Sequence, residues 1–192
     1  MSEENGVIYR ISGPVVTAVG ISPRMYEVVR VGDEGLMGEV IELHGDQSVI
    51  QVYEETSGVR PGEPVIRTGQ TLSVQLGPGL LTKIYDGIQR PLPELEKTMG
   101  VFIKRGVDAD GLDLEKIWAF NATAKVGDSV SSGNILGTVQ ETKTIEHRVM
   151  VPPGTSGVIK SINSGEFNVT QTVCTFEDGT EVQMMQKWPV RT

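Results

Sequence analysis

Short runs rich in apolar and β-branched residues dominate the first third of the chain. In Ser48–Tyr53, Ile50 and Val52 fall on one side of an extended chain while Gln51 and Tyr53 fall on the other, and this period of two is typical of a half-buried strand. Five further strands are predicted at Val7–Ile11, Val15–Val19, Glu27–Val31, Met37–Leu43 and Val65–Thr68. Six short strands within residues 1–70 predict a small closed six-stranded barrel, because closure removes exposed sheet edges.

Turn residues separate these strands. Gly13-Pro14, Gly32-Asp33, Gly45-Asp46 and Pro61-Gly62 lie between the runs, as expected for tight turns. Gly58, which follows Glu54-Glu55-Thr56, is expected to take a conformation that β-branched residues avoid. The 23 Gly and 10 Pro of the chain therefore favour an all-β fold class with little helix.

Residues 71–98 are predicted to form a connecting segment. Gly77-Pro78-Gly79 suggests a flexible break, and Leu80–Tyr85 is compatible with one turn of helix or a strand. Asp86 and Gly87 then indicate a turn. Pro91–Lys97 suits a short helix, with Glu94 and Glu96 near its positive end. This is the most helical place in the sequence.

The strand pattern resumes in residues 99–188, which we expect to be a second β domain. Its predicted strands are Trp118–Ala122, Ile135–Val139, His147–Val151, Gly157–Ile162, Phe167–Phe176 and Glu181–Trp188. Between the last two, Asp178-Gly179 predicts a hairpin, because a tight turn requires the positive φ angles that this pair supplies.

Composition restricts the partners and the compartment. The formal net charge of −8 argues against nucleic acid and anionic lipid as direct partners, because both are themselves negative. A single cysteine cannot form an internal disulfide, and the N-terminus lacks a secretory signal, so a cytoplasmic protein is expected. No apolar run approaches the roughly 20 residues needed to cross a bilayer.

Few residues suggest independent chemistry. His44 and His147 lie on separate predicted units, far from any second ligand at zinc-site spacing. Asp108, Asp110 and Asp113 alternate as in part of a calcium loop, but the twelfth position from Asp108 is Ala119 rather than a glutamate. Cys174 has no basic neighbour in sequence, and we expect it to be buried and inert. No catalytic, cofactor or metal residue is therefore predicted within this chain.

Part of the second domain is similar to lipoyl and biotinyl carrier domains. The similar segments are Val126–Gly137, Glu141–Lys143 and Val151–Ile159. Lys143 would be the attachment site for a swinging cofactor. It lacks the Asp-Lys-Ala or Met-Lys-Met neighbours that carriers show, so we interpret this part as a barrel-sandwich shape without the chemistry.

Four motifs occur in order over about 90 residues, and each alone is a weak signal. They are Ile8–Val16, Met37–Ile41, Gln51–Val59 and the run Leu76–Leu92, LGPGLLTKIYDGIQRPL. Together they resemble the N-terminal segment of the catalytic A subunits of archaeal-type and vacuolar-type rotary ATPases. In that family a β-rich insertion, absent from the partner B subunit, follows the barrel, and residues 99–188 would be that insertion.

The resemblance implies a parent enzyme whose chemistry lies elsewhere. No lysine follows a glycine in this sequence, so the GxxxxGK signature of a phosphate-binding loop is absent. The resemblance places that loop, with ATP or ADP and Mg²⁺, in a domain after Thr192, with residues 189–192 starting the linker. It also implies a ring of three A and three B subunits, in a complex that drives protons or sodium ions across a membrane. A peripheral stalk would lie near the second domain, and the chain would reach the membrane only through the complex.

Two alternatives of other classes remain. One is a lipoyl or biotinyl carrier, which a mass increase on Lys143 would reveal. The other is a free-standing β adaptor, and a reading frame that continues into a phosphate-binding loop would exclude it.

Overall fold

The computed structural model describes residues 5–81, 83–99, 105–107 and 109–191. In chain order its elements are β1 (Gly6–Ser12), β2 (Val15–Val19), β3 (Glu27–Val31), β4 (Leu36–His44), β5 (Gln47–Val52), β6 (Pro64–Thr71), β7 (Ser73–Leu76), α1 (Leu92–Met99), β8 (Trp118–Ala122), β9 (Ser129–Ser131), β10 (Ile135–Gln140), β11 (Glu146–Met150), β12 (Ser156–Ile162), β13 (Gly165–Phe167), β14 (Thr172–Phe176), β15 (Glu181–Gln183) and β16 (Gln186–Pro189).

The first six strands close into a barrel in the order β1-β2-β5-β4-β3-β6. All neighbouring strands are antiparallel, and closure comes from pairing of Gly6 and Val7 with Val65 and Pro64. Register shifts interrupt β1, β3 and β4, and such bulges increase the local bend that a small barrel needs. The predicted closed six-stranded barrel is confirmed.

Alternation along each strand fills the barrel. In β5, Ser48, Ile50 and Val52 are buried while the residues between them are partly exposed, as the period of two predicts. The buried cluster is entirely aliphatic: Ile8, Val16, Ala18, Ile21, Val29, Val31, Leu36, Val40, Ile50, Val52 and Val65. β-branched side chains of similar size thus fill a narrow interior at alternate positions.

The second unit contains two four-stranded sheets, ordered β11-β10-β8-β13 and β15-β14-β12-β9, and β7 pairs with β16. Its core includes the aromatic residues Trp118, Phe120 and Phe176. The predicted hairpin at Asp178-Gly179 is confirmed: Gly179 has φ 88° and Phe176 N–H donates to Thr180 O at 2.9 Å.

Two predicted strands of this unit were wrong because each one contains a turn. Phe167–Phe176 is divided into β13 and β14, since Asn168 Oδ1 accepts the N–H groups of Thr170 and Gln171 and forms a turn between them. Glu181–Trp188 is divided into β15 and β16 by a bend at the buried Met184. The strands β7 and β9 alternate polar and apolar residues but have only four and three residues, too few for the period to predict a strand.

The predicted connecting segment, residues 71–98, is divided between two compact units. One compact unit comprises Met1–Ser73, Leu95–Asp108 and Pro189–Thr192, and the other comprises Val74–Glu94 and Ala109–Trp188. The predicted break at Gly77-Pro78-Gly79 is instead packed: Gly77 and Pro78 are buried, and a Cβ on Gly77 would lie 3.0 Å from Leu112 Cδ1 and 3.2 Å from Met184 O. The helix predicted at 91–97 is present as α1.

Candidate functional site

A buried ion pair joins β3 and β6 of the barrel. Glu27 on β3 is 2% exposed. Its carboxylate accepts hydrogen bonds from Arg67 Nε and Nη2, each at 3.0 Å, and from the N–H groups of Arg24 and Gly69. Burial by itself raises the pKa of Glu27, but these hydrogen bonds outweigh burial and hold the pKa below its usual value. The pair therefore ties β3 to β6 as an ionised contact.

A second buried carboxylate lies on β4. Glu39 is 1% exposed; it accepts a hydrogen bond from Tyr53 Oη at 2.9 Å, and Arg191 Nη1 lies 3.4 Å from it. The Arg191 guanidinium also lies 5.5 Å from the ring centroid of Tyr26. Burial, with the hydrogen bond to Glu39, raises the pKa of Tyr53 to about 12. Residues 190–191 are thereby held on the barrel, and Val190 N–H adds a bond to Leu72 O at 2.8 Å.

Residues 105 and 106 attach to the barrel in a similar way. Arg105 Nη1 donates to the carbonyl oxygens of Glu55 and Ser57, and Arg105 Nη2 donates to Glu34 Oε1 at 2.8 Å. Gly106 N–H donates to the Glu54 carboxylate, and a Cβ on Gly106 would overlap the Glu34 carbonyl oxygen. The close approach therefore requires glycine at 106.

The predicted turn glycine at 58 has φ 92°, as expected at the end of this strand. Asp86 likewise has a structural role: Oδ1 accepts the N–H groups of Ile88 and Arg90, and Oδ2 accepts Arg90 Nε at 2.7 Å. Burial raises the pKa of Asp86, but the bonds from Arg90 prevail and lower it overall. Both residues therefore contribute to turns.

The two histidines lie in different units, and each has its own carboxylate partner. His44 is exposed on β4 in the barrel unit, with Nε2 2.8 Å from Glu42 Oε2. His147 is half-buried on β11 in the second unit, with Nδ1 3.7 Å from Glu141 Oε2. Burial lowers the pKa of His147, and Glu141 opposes this shift. Within the described ranges, no group of three or more potential ligands could hold a metal ion.

Two aspartates of the candidate calcium loop accept hydrogen bonds from other residues of the second unit. Asp110 Oδ1 accepts Gln75 Nε2 at 2.7 Å, and Asp113 Oδ1 accepts the N–H groups of Glu115 and Lys116. Asp108 lies outside the described residues. Asp113 thus closes a turn, as expected.

Cys174 is buried in β14 at 1% exposure, and burial raises the pKa of its thiol to about 11. A thiol with so high a pKa is protonated at neutral pH and is a poor nucleophile. The prediction of an inert cysteine is confirmed in its burial.

Lys143 lies exposed between β10 and β11, the position at which a carrier domain would present its lysine. Gln140 Nε2 and the Thr142 hydroxyl hydrogen-bond to the backbone of this turn. The geometry alone therefore permits a carrier, and the comparison with known proteins decides the matter.

Two family models match the chain. Residues 8–69 match the beta-barrel domain of the ATP synthase alpha/beta family, and residues 109–191 match the ATP synthase alpha/beta subunit barrel-sandwich domain. The chain belongs to the ATP synthase alpha/beta family. Membership in this family explains the carrier-like pattern around Lys143 as a shared sandwich shape and leaves the carrier alternative without support.

Individual relatives within the ATP synthase family agree. The chain is 61% identical over 189 residues to the A subunit of the A-type ATP synthase of Methanosarcina barkeri, a match that covers 98% of this chain and 33% of the relative. The corresponding protein of Methanoculleus marisnigri is 62% identical over 187 residues, 97% of this chain and 32% of the relative. That of Natronomonas pharaonis is 57% identical over 189 residues, 98% of this chain and 32% of the relative. The chain thus spans about a third of the length of these relatives.

Sequence reasoning recognised the family but not the polar contacts at the barrel. Arg67, Arg105 and Arg191 are distant in sequence from the carboxylates that they meet. A glutamate within an apolar strand, as in Glu27–Val31 or Met37–Leu43, was the available signal, because an internal carboxylate requires a partner. No helix in the described part of the chain is long and apolar enough to cross a membrane.

Proposed function

We propose that this chain is the N-terminal part of the catalytic A subunit of a rotary ATP synthase, and that its role there is assembly. The observation that carries the proposal is about 60% identity over nearly the whole chain to the A subunits of A-type ATP synthases. In this role the chain holds no catalytic residue, and ATP or ADP with Mg²⁺ binds a domain beyond Thr192. The absence of a GxxxxGK segment supports that division.

The barrel is proposed to pack beside the barrels of B subunits in a ring of three A and three B subunits. Exposed apolar side chains on two adjacent strands support this role: Val7 and Tyr9 on β1 are 44% and 61% exposed, and Ile66 on β6 is 36% exposed. Val7 lies opposite Pro64, two residues from Ile66 on β6, and exposed apolar side chains grouped on an outer sheet face favour a protein partner. The partner class is a second barrel rather than nucleic acid or lipid, since the chain is acidic.

The second unit is proposed to lie near the peripheral stalk, and the assembled complex to couple ATP hydrolysis or synthesis to proton or sodium transport. The protein would then be cytoplasmic and reach the membrane only through the complex. Support for this part is the resemblance of residues 99–188 to the insertion of the catalytic subunits.

Titration of the isotopically labelled chain with the matching B-subunit barrel tests the proposal. Amide shifts should be confined to the barrel and should include Val7, Tyr9 and Ile66. A double variant Val7→Lys and Ile66→Lys should abolish them, whereas Leu43→Lys, an equally exposed apolar residue on β4, serves as the matched control. Shifts confined to residues 109–188 would contradict the barrel assignment. Micromolar binding of Mg-ATP to the chain alone would contradict the absence of a nucleotide site.

A further inference from the structure

Glu39 on β4 is buried on the outer face of the barrel rather than in its interior. Leu36 and Val40 of the same strand belong to the aliphatic cluster inside the barrel. Successive side chains of a strand point to opposite faces, so Glu39, the residue before Val40, lies on the outer face. The residue is nevertheless only 1% exposed. A carboxylate with so little exposure on an outer face lies beneath side chains from other segments of the chain.

A tyrosine and an arginine contact Glu39 on this face, and the arginine contacts a second tyrosine. Tyr53 Oη donates to Glu39 Oε2 at 2.9 Å, and Arg191 Nη1 lies 3.4 Å from the same oxygen. The Arg191 guanidinium also lies over the Tyr26 ring, with Cζ 5.5 Å from the ring centroid. A planar guanidinium suits this arrangement better than an ammonium group, because it can direct an N–H edge to a carboxylate while it stacks on an aromatic ring.

The barrel itself holds the Tyr26 side of this arrangement. Tyr26 has φ 63°, a left-handed conformation that residues other than glycine rarely adopt and that persists only where the surrounding structure enforces it. Its N–H donates to Val40 O at 2.9 Å, and the next residue, Glu27, is paired with Arg67. These contacts come from barrel strands, so we expect Tyr26 to keep its place when Arg191 moves away.

Arg191, in contrast, is held loosely. Its side chain is 53% exposed, and the distance of 3.4 Å to Glu39 Oε2 is longer than the roughly 2.7–2.9 Å of a charge-assisted hydrogen bond. The neighbouring Val190 is 51% exposed, and its N–H donates to Leu72 O at 2.8 Å. Segments with few buried contacts open locally at a small cost in free energy. Arg191 can therefore leave Glu39 while the barrel stays folded.

We propose that Glu39, Tyr26 and Tyr53 form a binding site for a guanidinium group, and that Arg191 is its exchangeable internal occupant. When residues 189–191 move away from the barrel, the site binds an arginine side chain of another polypeptide. The formal charge of −8 favours the approach of such a cationic segment. Arg191 competes with that arginine, because the site is available only in the fraction of molecules in which Arg191 has left it. The inference concerns the barrel unit alone and does not depend on the proposed ring of subunits.

A chain without the internal arginine tests the proposal. On titration of Arg191→Ala with the peptide acetyl-Gly-Arg-Gly-amide at constant ionic strength, the Tyr26 ring signals in NMR spectra should shift and saturate. The wild type should bind the peptide at least about tenfold more weakly, because Arg191 occupies its site. Arg10→Ala removes an exposed arginine of β1 and is the matched control, which should behave as the wild type. The ring signals of Tyr9, which is 61% exposed, serve as an internal reference and should not move.

Further changes make the test specific for a guanidinium. Addition of Glu39→Gln to the Arg191→Ala chain should weaken peptide binding at least about tenfold, because the site loses its charge. The peptide acetyl-Gly-Lys-Gly-amide should bind Arg191→Ala at least about fivefold more weakly than the arginine peptide. Arg191→Lys keeps a cation for the buried carboxylate, so it supplies a second measurement should Arg191→Ala fold poorly. Its affinity for the arginine peptide should exceed that of the wild type.

Four results would overturn the proposal. One is equal binding of the arginine peptide by the wild type and by both Arg191 variants, which would show that Arg191 does not occupy the site. The second is equal affinity for the lysine and arginine peptides, which would indicate attraction by charge alone. The third is unchanged binding after Glu39→Gln. The last is a Tyr26 signal that does not move up to about 50 mM arginine peptide in either variant.

Discussion

The barrel and the second unit bury different kinds of side chain around different kinds of sheet. The barrel interior is aliphatic throughout its buried cluster, whereas the second unit packs Trp118, Phe120, Phe176 and Met184 among its aliphatic residues. A narrow closed barrel is filled by β-branched chains at alternate positions. Two facing sheets stand about 10 Å apart, and large side chains are needed to fill that space. The two units are therefore packed in different ways, and the stability of each unit can be measured separately.

Phe176→Ala should have the largest effect and should act on the second unit alone. Phe176 is 0% exposed, and truncating a buried phenylalanine destabilises by about 3–5 kcal/mol. Both tryptophans belong to the second unit, so urea unfolding followed by tryptophan fluorescence should report the loss. The matched barrel variant Ile50→Ala should leave the fluorescence transition in place and instead speed hydrogen exchange at Val29 and Val31. If either variant changes the urea midpoint and the amide exchange of the barrel to the same extent, the two units unfold as one cooperative core.

Arg67→Met should destabilise the barrel by about 3 kcal/mol, because it leaves the Glu27 carboxylate buried without its cation. Arg10→Met, a change at an exposed arginine on β1, is the control and should alter stability by less than about 0.5 kcal/mol. Amide exchange at Val29 measures the difference. A barrel as stable as the control would show that the backbone donors of Arg24 and Gly69 suffice for Glu27.

The same pair gives an acid dependence. Since the folded pKa of Glu27 lies below the ordinary value of 4.5, its contribution is present above about pH 4.5 and is lost as the pH falls through the folded pKa. Arg67→Met should reduce the acid sensitivity of barrel amide exchange. If the pH profile of barrel amide exchange is the same in Arg67→Met as in the wild type, Glu27 is not the source of the acid sensitivity.

Tyr53→Phe should weaken the barrel by about 1 kcal/mol through loss of the hydrogen bond to Glu39. A tyrosine whose pKa rises from 10.0 to about 12 contributes stability that is lost as the pH rises from about 10 to 12. The wild type should therefore lose stability over this range and Tyr53→Phe should lose less. Tyr9→Phe, at a 61% exposed ring, should behave as wild type in thermal unfolding.

The smallest effect on stability is expected at His147. It should make the stability of the second unit, but not that of the barrel, depend on pH. Burial lowers the pKa of His147, so the unfolded chain binds more protons below about pH 6.5 and the second unit loses stability there. His147→Gln should remove this loss, and His44→Gln should not. Fluorescence-detected urea midpoints between pH 5 and 8 provide the measurement.

The barrel was predictable because each strand alternates apolar and polar residues and each turn contains the glycine, proline or aspartate that tight turns favour. β2, β3 and their neighbours were placed within one residue at most boundaries, with β6 extending to Thr71. In the second unit, strands of three residues, such as β9 and β15, are too short for a period to register. There, distant pairs such as β8 with β13 determine the sheets, and a turn fixed by Asn168 looks like continuous strand in sequence. The candidate site at the barrel also depends on distant pairs, such as Arg191 with Glu39, and these contacts were not predictable.

The arginine contacts of the barrel have a consequence for synthesis on the ribosome. The sixth barrel strand ends at Thr71, yet the Glu34, Glu54 and Glu39 carboxylates meet their partners at Arg105, Gly106 and Arg191. At translation rates of roughly 5–20 residues per second, Arg105 is made about 2–7 s after the last barrel strand and Arg191 about 6–24 s after it. During that interval Glu39 keeps its hydrogen bond from Tyr53 but lacks the Arg191 guanidinium, so the barrel on the ribosome is expected to be less stable than the barrel of the finished chain.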